Sequence, residues 1–164
     1  MILDCRCDAE MHASTKEACI SAVIKEKKTR NYFLREKINI TCDTSNQAEY
    51  LAMGRLILRV IHLQEYNIVP QNLTIHLYSD NKAIVGAIRN ERGVNGLDIN
   101  MKDNILMQYQ KLISNNVEVN LQWIRRTKNK EAHRYLYDKK HLGRRLIEIV
   151  PDLVKFIQIY DVLH

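Results

Sequence analysis

The chain has 164 residues, of which 46% are hydrophobic and 27% charged, and its formal net charge is +6. A chain of this length and apolar content can bury one good core, so we predict a single domain and exclude a long disordered cationic tail. The basic excess favours a polyanionic partner such as nucleic acid, although a solvated basic surface explains the charge equally well. No apolar run reaches membrane-spanning length, and the N-terminus lacks the pattern of a secretory signal, so we expect a soluble, cytoplasmic protein.

The four cysteines lack the spacing of a zinc site. Cys5, Cys7, Cys19 and Cys42 include no pair separated by two residues, which is a common metal-binding spacing. In a reducing compartment, buried free thiols are a more common use of cysteine than disulfides or metal ligands. We therefore predict free thiols, with a metal site or a disulfide as the less favoured alternatives.

The first third of the chain has the alternating pattern of β-strands. β-Branched and aromatic residues are frequent in residues 2–8, 18–25 and 31–38, and the charged segment KEKKTR at 25–30 is typical of a hairpin turn. The period then changes over residues 47–66, which predicts an amphipathic helix. The apolar residues that recur there at intervals of three and four are Met53, Leu56, Ile57, Val60 and Ile61.

The remaining elements alternate between strand and helix. Residues 73–79 predict a strand, 81–89 and 101–114 predict helices, 117–123 predict a strand, and a last helix begins near Lys130. The order β-β-β-α-β-α-α-β-α predicts an α/β fold, a five-stranded mixed sheet flanked by helices. The side chains expected to point inward from the last strand are Val117, Val119, Leu121 and Trp123.

Three acidic residues occupy the ends of predicted elements. Asp8 ends the first strand, Asp80 ends the fourth, and Glu49 lies in the first turn of the first long helix. Because ligands gather at the carboxyl ends of parallel strands, these acids converge if strands one and four are neighbours and the helix crosses that end. Such carboxylates repel one another unless a divalent cation neutralises them, and Mg²⁺ favours oxygen ligands. Two such ions, about 3.5 to 4 Å apart, support in-line displacement at phosphorus.

Each acid also has an ordinary structural interpretation. The spacing Asn46-x-x-Glu49 fits a capping box, Asp80 fits the N-cap of the following helix, and Asp8 fits a turn. Taken singly, caps and turns are the more common uses of these residue types. Only the joint pattern favours a metal site.

Three segments of the chain resemble, in the same order, the signature segments of type 1 ribonuclease H. They are SNQAEYLAM at 45–53, IHLYSDNKAIV at 75–85 and VNLQWIRRTKNKEAH at 119–133. The resemblance implies a ribonuclease H-like domain over residues 1–141. It also implies a metal-dependent endonuclease that hydrolyses the RNA strand of RNA–DNA hybrids by a two-metal mechanism and leaves 5′-phosphate and 3′-hydroxyl ends.

The resemblance assigns roles to individual residues. Asp8, Glu49 and Asp80 match the first three catalytic, metal-binding carboxylates, and His133 stands where the family has the fourth. Two Mg²⁺ or Mn²⁺ ions are implied, the first held by Asp8 and Asp80 and the second by Glu49 and His133. The RNA–DNA hybrid is the implied partner, because only RNA presents a 2′-hydroxyl in the minor groove. The residues expected to contact nucleic acid are Ser45, Asn46, Asn81, Lys82, Arg125, Arg126 and Asn129, of which Asn129 is also a candidate N-cap.

A basic segment follows the last predicted strand. It can bind phosphates, although a solvated helix face explains most of its charges. Its members are Arg125, Arg126, Lys128, Lys130, Arg134, Lys139, Lys140, Arg144 and Arg145.

The fourth catalytic position departs from the family pattern. His133 replaces a carboxylate, which removes a negative charge and favours a softer metal, so we expect Mn²⁺ to gain on Mg²⁺. A surface or packing role for His133 is equally consistent with the sequence. Glu131 and Asp138 are nearby acids, but neither occupies the matching position on the helix.

Two further departures lie in loops. Ala9 follows Asp8 where the family usually has glycine, so we expect a less open backbone there. The segment IRRTKN at 124–129 is short, as in members that lack the mobile histidine-containing loop.

The C-terminal segment of the chain is apolar. Residues 142–164 are too apolar for a free tail, with a helix expected around 152–160. We expect them to pack on the domain or to form a homodimer or protein-partner contact.

The main alternative to the nuclease is a degenerate domain that binds nucleic acid or a protein without cleavage. An exonuclease or integrase-like relative fits less well.

Overall fold

The computed structural model describes residues 1–90, 99–114 and 117–137. Within these ranges the predicted order of strands and helices is confirmed. The strands are β1 (Ile2–His12), β2 (Glu17–Glu26), β3 (Tyr32–Thr41), β4 (Thr74–Ser79) and β5 (Glu118–Trp123), and the helices are α1 (Ser45–Glu65), α2 (Lys82–Ile88), α3 (Ile99–Ser114) and α4 (Lys130–Tyr137). A 3-10 turn over Arg126–Lys128 joins β5 to α4.

The five strands form one mixed sheet in the order β3-β2-β1-β4-β5. The first three strands pair antiparallel, as hairpins allow, whereas β4 pairs parallel with both β1 and β5. Parallel neighbours require crossover connections, and α1 supplies the first of these. The carboxyl ends of β1, β4 and β5 therefore point toward the same edge of the sheet, where the predicted site lies.

The two faces of the sheet are covered by different helices. Two consecutive residues of β3 show this, because their side chains point to opposite faces. The carboxylate of Glu36 accepts from α1, whereas the ammonium of Lys37 donates to the backbone of α4. The main core lies on the α1 face, and the apolar stripe predicted for α1 is buried there. Burial of apolar surface contributes roughly 25 cal/mol per Å² removed from water. Burial of this stripe is therefore the main contribution that holds α1 on the sheet.

Two predictions about the strands are wrong. Asp8 does not end β1, because β1 continues to His12 in its pairing with β2. What ends near Asp8 is the pairing with β4, whose last pair is Arg6 with Tyr78. Trp123 does not point into the core; it is 42% exposed at the end of β5, which is an edge strand of the sheet.

Other expectations concern the cysteines and the C-terminus. All four cysteines carry free thiols, and Cys5, Cys7 and Cys42 are buried, as predicted. The predicted boundary at residue 141, the helix around 152–160 and the contacts of 142–164 lie outside the described residues. Within the described part, no helix has both the length and the apolar character required to cross a membrane.

Candidate active site

Asp8, Glu49 and Asp80 converge at the edge of the sheet where β1 and β4 separate. One potential ligand atom from each carboxylate lies within 4.8 Å of the other two. Asp8 is only 2% exposed, and the other two are half-buried. The predicted convergence follows from the sheet order, because β1 and β4 are hydrogen-bonded neighbours. The group is therefore one that could hold a metal ion.

The ordinary interpretation of Glu49 as part of a capping box is wrong. The hydroxyl of Thr44 caps α1 by accepting from the backbone N–H of Gln47 at 3.1 Å. The Gln47 side chain accepts in turn from the backbone N–H of Asp43 at 2.8 Å. This cap is worth about 1 kcal/mol, and it leaves the carboxylate of Glu49 free to turn toward Asp8.

Asp80 is likewise not the N-cap of its helix. Asn81 caps α2, since its side-chain oxygen accepts from the backbone N–H groups of Ala83 at 3.0 Å and Ile84 at 3.2 Å. The turn interpretation of Asp8 is also excluded, because Asp8 pairs with Ser21 inside the β1–β2 ladder. Neither aspartate serves as a helix cap or a turn residue, which are common uses of this residue type.

The hydrogen-bonding state of the three carboxylates is unequal. Asp8 accepts from the backbone N–H of Ala9 and lies against the ring nitrogen of His133, both at 2.9 Å. By contrast, Oε2 of Glu49 and Oδ1 of Asp80 are buried without any hydrogen-bond partner. A buried polar atom without a partner costs about 1 to 3 kcal/mol, so these two oxygens indicate a missing positively charged partner.

The pKa shifts of groups in the cluster also indicate a missing positively charged partner. Burial, then the charges of Asp8 and Asp80, raise the pKa of Glu49 to about 8. Burial and the charge of Asp80 raise the pKa of Asp8, against the hydrogen bond from His133. Burial and the three carboxylates also raise the pKa of the Cys7 thiol, which stays protonated. Asp8 and Glu49 thus hold their protons more tightly than isolated carboxylates do.

His133 lies beside this cluster. Its Nδ1 is 2.9 Å from Oδ2 of Asp8 and 3.4 Å from a guanidinium nitrogen of Arg126. Its ring packs edge-on against Tyr137 at 4.8 Å between centroids. Within the described residues, the group that could hold a metal comprises the three carboxylates without His133. The imidazole contacts that group through Asp8.

Glu131 does not replace the fourth carboxylate. Glu131 points to the α4 face of the sheet, where it accepts from the ammonium of Lys25 and lies 3.6 Å from Nε of Arg6. These contacts lower the pKa of Glu131 although burial opposes them. Asp138 lies outside the described residues.

Most residues expected to contact nucleic acid surround the cluster on the surface. Asn46 and Asn81 are joined by a hydrogen bond of 3.4 Å between their side chains. They flank the carboxylates, since Asn81 follows Asp80 and Asn46 lies one helical turn before Glu49. The other exposed members of this set are Ser45, Lys82, Arg125 and Arg126.

Asn129 lies in the interior of the protein, contrary to the contact with nucleic acid that was expected of it. It is 0% exposed, and its amide donates to the backbone carbonyl of Cys7 at 2.8 Å. It stands at the position before α4, and its carbonyl accepts from the backbone N–H of His133, but its side-chain oxygen caps nothing. Asn129 ties α4 to β1 next to Asp8, so a direct contact with nucleic acid does not fit its position.

One residue at the site was not identified from the sequence. The indole N–H of Trp123 donates to the backbone carbonyl of Asp80 at 2.9 Å, and the ammonium of Lys82 lies 5.7 Å from the centre of its ring. The signal was present in the strand ends, because Trp123 closes β5 directly opposite Ser79. Strict alternation assigned it to the core, since the alternation pattern does not show where the neighbouring strand stops.

Comparison with known protein families identifies a family for this chain. The family model described as Reverse transcriptase-like matches residues 6–135. A search of curated proteins finds no match.

Several solved structures share the fold at low identity. The N-terminal RNase H domain of a Mycobacterium tuberculosis protein is 19% identical, with 84% of this chain and 98% of that chain covered and a TM-score of 0.64. RNase H1 from Halobacterium salinarum is 14% identical, with 84% and 96% covered and a TM-score of 0.64. LC11-RNase H1 in complex with an RNA/DNA hybrid is 19% identical, with 83% and 94% covered and a TM-score of 0.67. At these identities the likeness shows the ribonuclease H-like fold.

Proposed function

This chain belongs to the Reverse transcriptase-like family of ribonuclease H-like proteins, and we propose that it is a divalent-metal-dependent endonuclease that hydrolyses the RNA strand of RNA–DNA hybrids. One observation carries the proposal. Three carboxylates from β1, α1 and β4 meet at the sheet edge, and two of their oxygens are buried without a partner. Buried like charges are costly unless they are paired or coordinate a metal.

The residues of the cluster fit a hard divalent cation. Carboxylate oxygens are the ligands that Mg²⁺ and Mn²⁺ prefer, and Asp8, Glu49 and Asp80 supply them within one site. We propose that they hold two ions, with His133 as the fourth ligand. When bound, such ions stabilise the charge that develops on the phosphate and lower the pKa of a water that attacks it.

The chain's own groups prepare this site. The backbone N–H of Ala9 and the ring of His133 both orient Asp8, each at 2.9 Å. Ala9 does this from regular strand geometry, paired with Ile20, so a glycine is not needed for the strand itself. Asn129 holds α4 against β1 through the carbonyl of Cys7. A misplacement of about 1 Å in such a site can reduce the rate about a hundredfold, which gives these contacts their importance.

The surface around the cluster fits a hybrid substrate. Asn46 and Asn81 are held by their mutual hydrogen bond and by the cap of α2, so their amides are positioned for a minor groove that displays 2′-hydroxyls. Arg125 and Arg126 are exposed at the end of β5 and can contact phosphates. The similarity to LC11-RNase H1, whose structure contains an RNA/DNA hybrid, supports this choice of substrate.

One observation favours a second candidate, a domain that binds nucleic acid without cleavage. His133 engages Oδ2 of Asp8, so a neutral or positively charged ring occupies the side where the family carries a carboxylate. A cation must compete with this contact for Asp8. The non-cleaving alternative therefore predicts hybrid binding that does not depend on Mg²⁺ or Mn²⁺.

The decisive experiment measures cleavage of a labelled RNA–DNA hybrid in Mg²⁺ and in Mn²⁺, with the Asp80→Asn variant beside the natural protein. Single-stranded RNA and duplex DNA serve as substrate controls. The nuclease proposal expects metal-dependent cutting of the hybrid RNA that the variant loses. Hybrid binding without cutting in either metal would establish the non-cleaving alternative.

A further inference from the structure

Trp123 is the single tryptophan of the chain, and it is exposed beside the carboxylate cluster. The ring is 42% exposed, although burying an aromatic side chain of this size is strongly favourable. Its orientation is set from within the site, because its indole N–H donates to the backbone carbonyl of Asp80 at 2.9 Å. The structure thus holds a large apolar surface in solvent at a defined position next to the metal-binding residue.

Lys82 adds a positive charge to this surface. It is the first residue of α2, directly after the cap residue Asn81, and its ammonium lies 5.7 Å from the centre of the Trp123 ring. A cation at this distance from an exposed indole is attracted by about 0.5 to 1 kcal/mol, so the ring restrains where the ammonium lies. In the described part of the chain no carboxylate forms an ion pair with Lys82.

The combination of an oriented aromatic ring and an unneutralised cation is the chemistry of nucleic-acid strand binding. Aromatic rings stack on bases or pack against sugars of the strand, and ammonium groups contact the phosphates between them. The indole of Trp123 donates to the backbone carbonyl of Asp80, and Lys82 lies two residues after Asp80 at the start of α2. Both groups therefore lie next to the position of a phosphate held at the carboxylates.

We propose that Trp123 and Lys82 form a platform that binds the nucleic-acid strand next to the phosphate held at the carboxylate cluster. The indole packs against a sugar or base, and the Lys82 ammonium contacts the neighbouring phosphate. This inference rests on the proposed function, since it takes the hybrid as substrate. It assigns to Trp123 a role in substrate binding that is separate from the chemistry of the three acids.

The intrinsic fluorescence of the protein reports this contact directly, because Trp123 is the single tryptophan. The Asp80→Asn variant, which keeps the backbone carbonyl that orients the indole, is titrated with a fluorescein-labelled RNA–DNA hybrid in Mg²⁺. Binding is followed by the anisotropy of the label, and tryptophan emission is followed in a parallel titration with unlabelled hybrid. The platform predicts a quench and blue shift of emission that saturate at the same hybrid concentration as the anisotropy.

Substitutions separate the two members of the platform. Trp123→Ala is expected to weaken hybrid binding about tenfold, whereas Trp123→Phe keeps a ring and is expected to stay within about threefold. Lys82→Gln is expected to lower the slope of log affinity against log salt by about one. Lys28→Gln removes the same charge from the exposed β2–β3 turn and is the matched control, expected to leave that slope unchanged.

The outcomes distinguish the platform from the proposed function. Saturable anisotropy with unchanged tryptophan emission would overturn the platform and leave hybrid binding intact. The absence of any anisotropy change would overturn both the platform and the hybrid as substrate. Circular dichroism of each variant identifies loss of folding, and the fluorescence titration needs no change at Trp123 or Lys82.

Discussion

Helix α1 contributes to two buried groups of charged side chains, and the two groups balance their charge differently. On the α1 face of the sheet, Glu36 of β3 is 3% exposed and accepts from Nε of Arg55 at 3.0 Å and Nε of Arg59 at 3.1 Å. Both guanidinium groups add a second bond to the same carboxylate. At the N-terminus of the same helix, Glu49 meets two more carboxylates, and its Oε2 has no partner.

The comparison shows how a structural ion pair differs from the candidate active site. Burial raises the pKa of Glu36, but the hydrogen bonds from Arg59 and Arg55 outweigh it and lower that pKa. Nothing comparable offsets burial at Glu49, whose pKa rises to about 8. A chain that can neutralise one buried carboxylate with its own arginines, and leaves three others together, indicates that their partner comes from outside.

The largest expected effect is on activity. We predict that Asp80→Asn and Glu49→Gln each reduce hybrid cleavage about a thousandfold, the factor that corresponds to losing several kcal/mol of transition-state stabilisation. Because either change relieves repulsion among the three acids, the thermal midpoint in EDTA is expected to stay the same or rise. Cleavage assays and thermal unfolding with and without Mn²⁺ measure this pair of effects. A lower midpoint in EDTA for both variants would mean that the acids are structural.

At the other site the effect falls on stability. Glu36→Gln removes the negative charge that the guanidinium of Arg59 contacts, and because Arg59 is 2% exposed, we predict a loss of about 3 to 5 kcal/mol in the free energy of unfolding. Urea denaturation measures it. The double variant Glu36→Leu with Arg59→Met is the matched control, expected to recover most of the loss because it removes the two most buried charges together, whereas the side chain of Arg55 is 22% exposed and can be solvated.

The two sites are also expected to respond to pH in opposite directions. The folded pKa of Glu49 lies above its usual 4.5, so the unfolded chain releases this proton first and stability in EDTA falls as pH rises from about 4.5 to about 8. The folded pKa of Glu36 lies below 4.5, so its contribution is lost as pH falls below that value. The alkaline loss is expected to be on the order of 5 kcal/mol, at about 1.4 kcal/mol for each tenfold difference in proton affinity between the folded and unfolded states.

Thermal unfolding in EDTA across this range measures both limbs of the profile. Glu49→Gln is expected to flatten the alkaline limb and leave the acid limb unchanged. Saturating Mn²⁺ is expected to offset about half of the alkaline loss in the natural protein, because at a hundred times its dissociation constant a ligand stabilises the folded state by about 2.7 kcal/mol. An alkaline limb that persists in Glu49→Gln would assign it to other groups.

The smallest predicted effect concerns the choice of metal. His133→Asp restores a carboxylate next to Asp8, and we expect the ratio of Mg²⁺ to Mn²⁺ activity to rise about tenfold, because harder ligands favour Mg²⁺. The metal-induced shift of the thermal midpoint gives a second readout that does not depend on turnover. His133→Asn, which keeps the size but adds no charge, is the control and is not expected to raise the ratio. Equal ratios in all three proteins would remove His133 from the metal site.

Much of the fold could be predicted because its signals are local. The spacing of Met53, Leu56 and Val60 predicts the buried face of α1, and that face packs on the sheet as expected. Errors occurred where a residue depends on a distant neighbour. Asp8 was expected to end a strand, but β2 carries the ladder on to His12.

The site was partly predictable for the same reason. The three acids were identified by their places at element ends, and the parallel pairing of β1 with β4 brings two of them together. Asn129 was expected to contact nucleic acid, yet its amide donates to the backbone carbonyl of Cys7, 122 residues away in the chain. A periodic pattern contains no information about such a pairing, so only the assembled structure shows it.

The sequence by itself determined the elements, their order and the choice of the three carboxylates as candidates, because backbone preference and hydrophobic period act within a few residues. The tertiary structure decided which charges are neutralised. Glu36 lies 19 and 23 residues from its arginines, and Trp123 lies 43 residues from the carbonyl that orients it. Charge balance and burial depend on which strands become neighbours, and that depends on the whole chain reaching one common core.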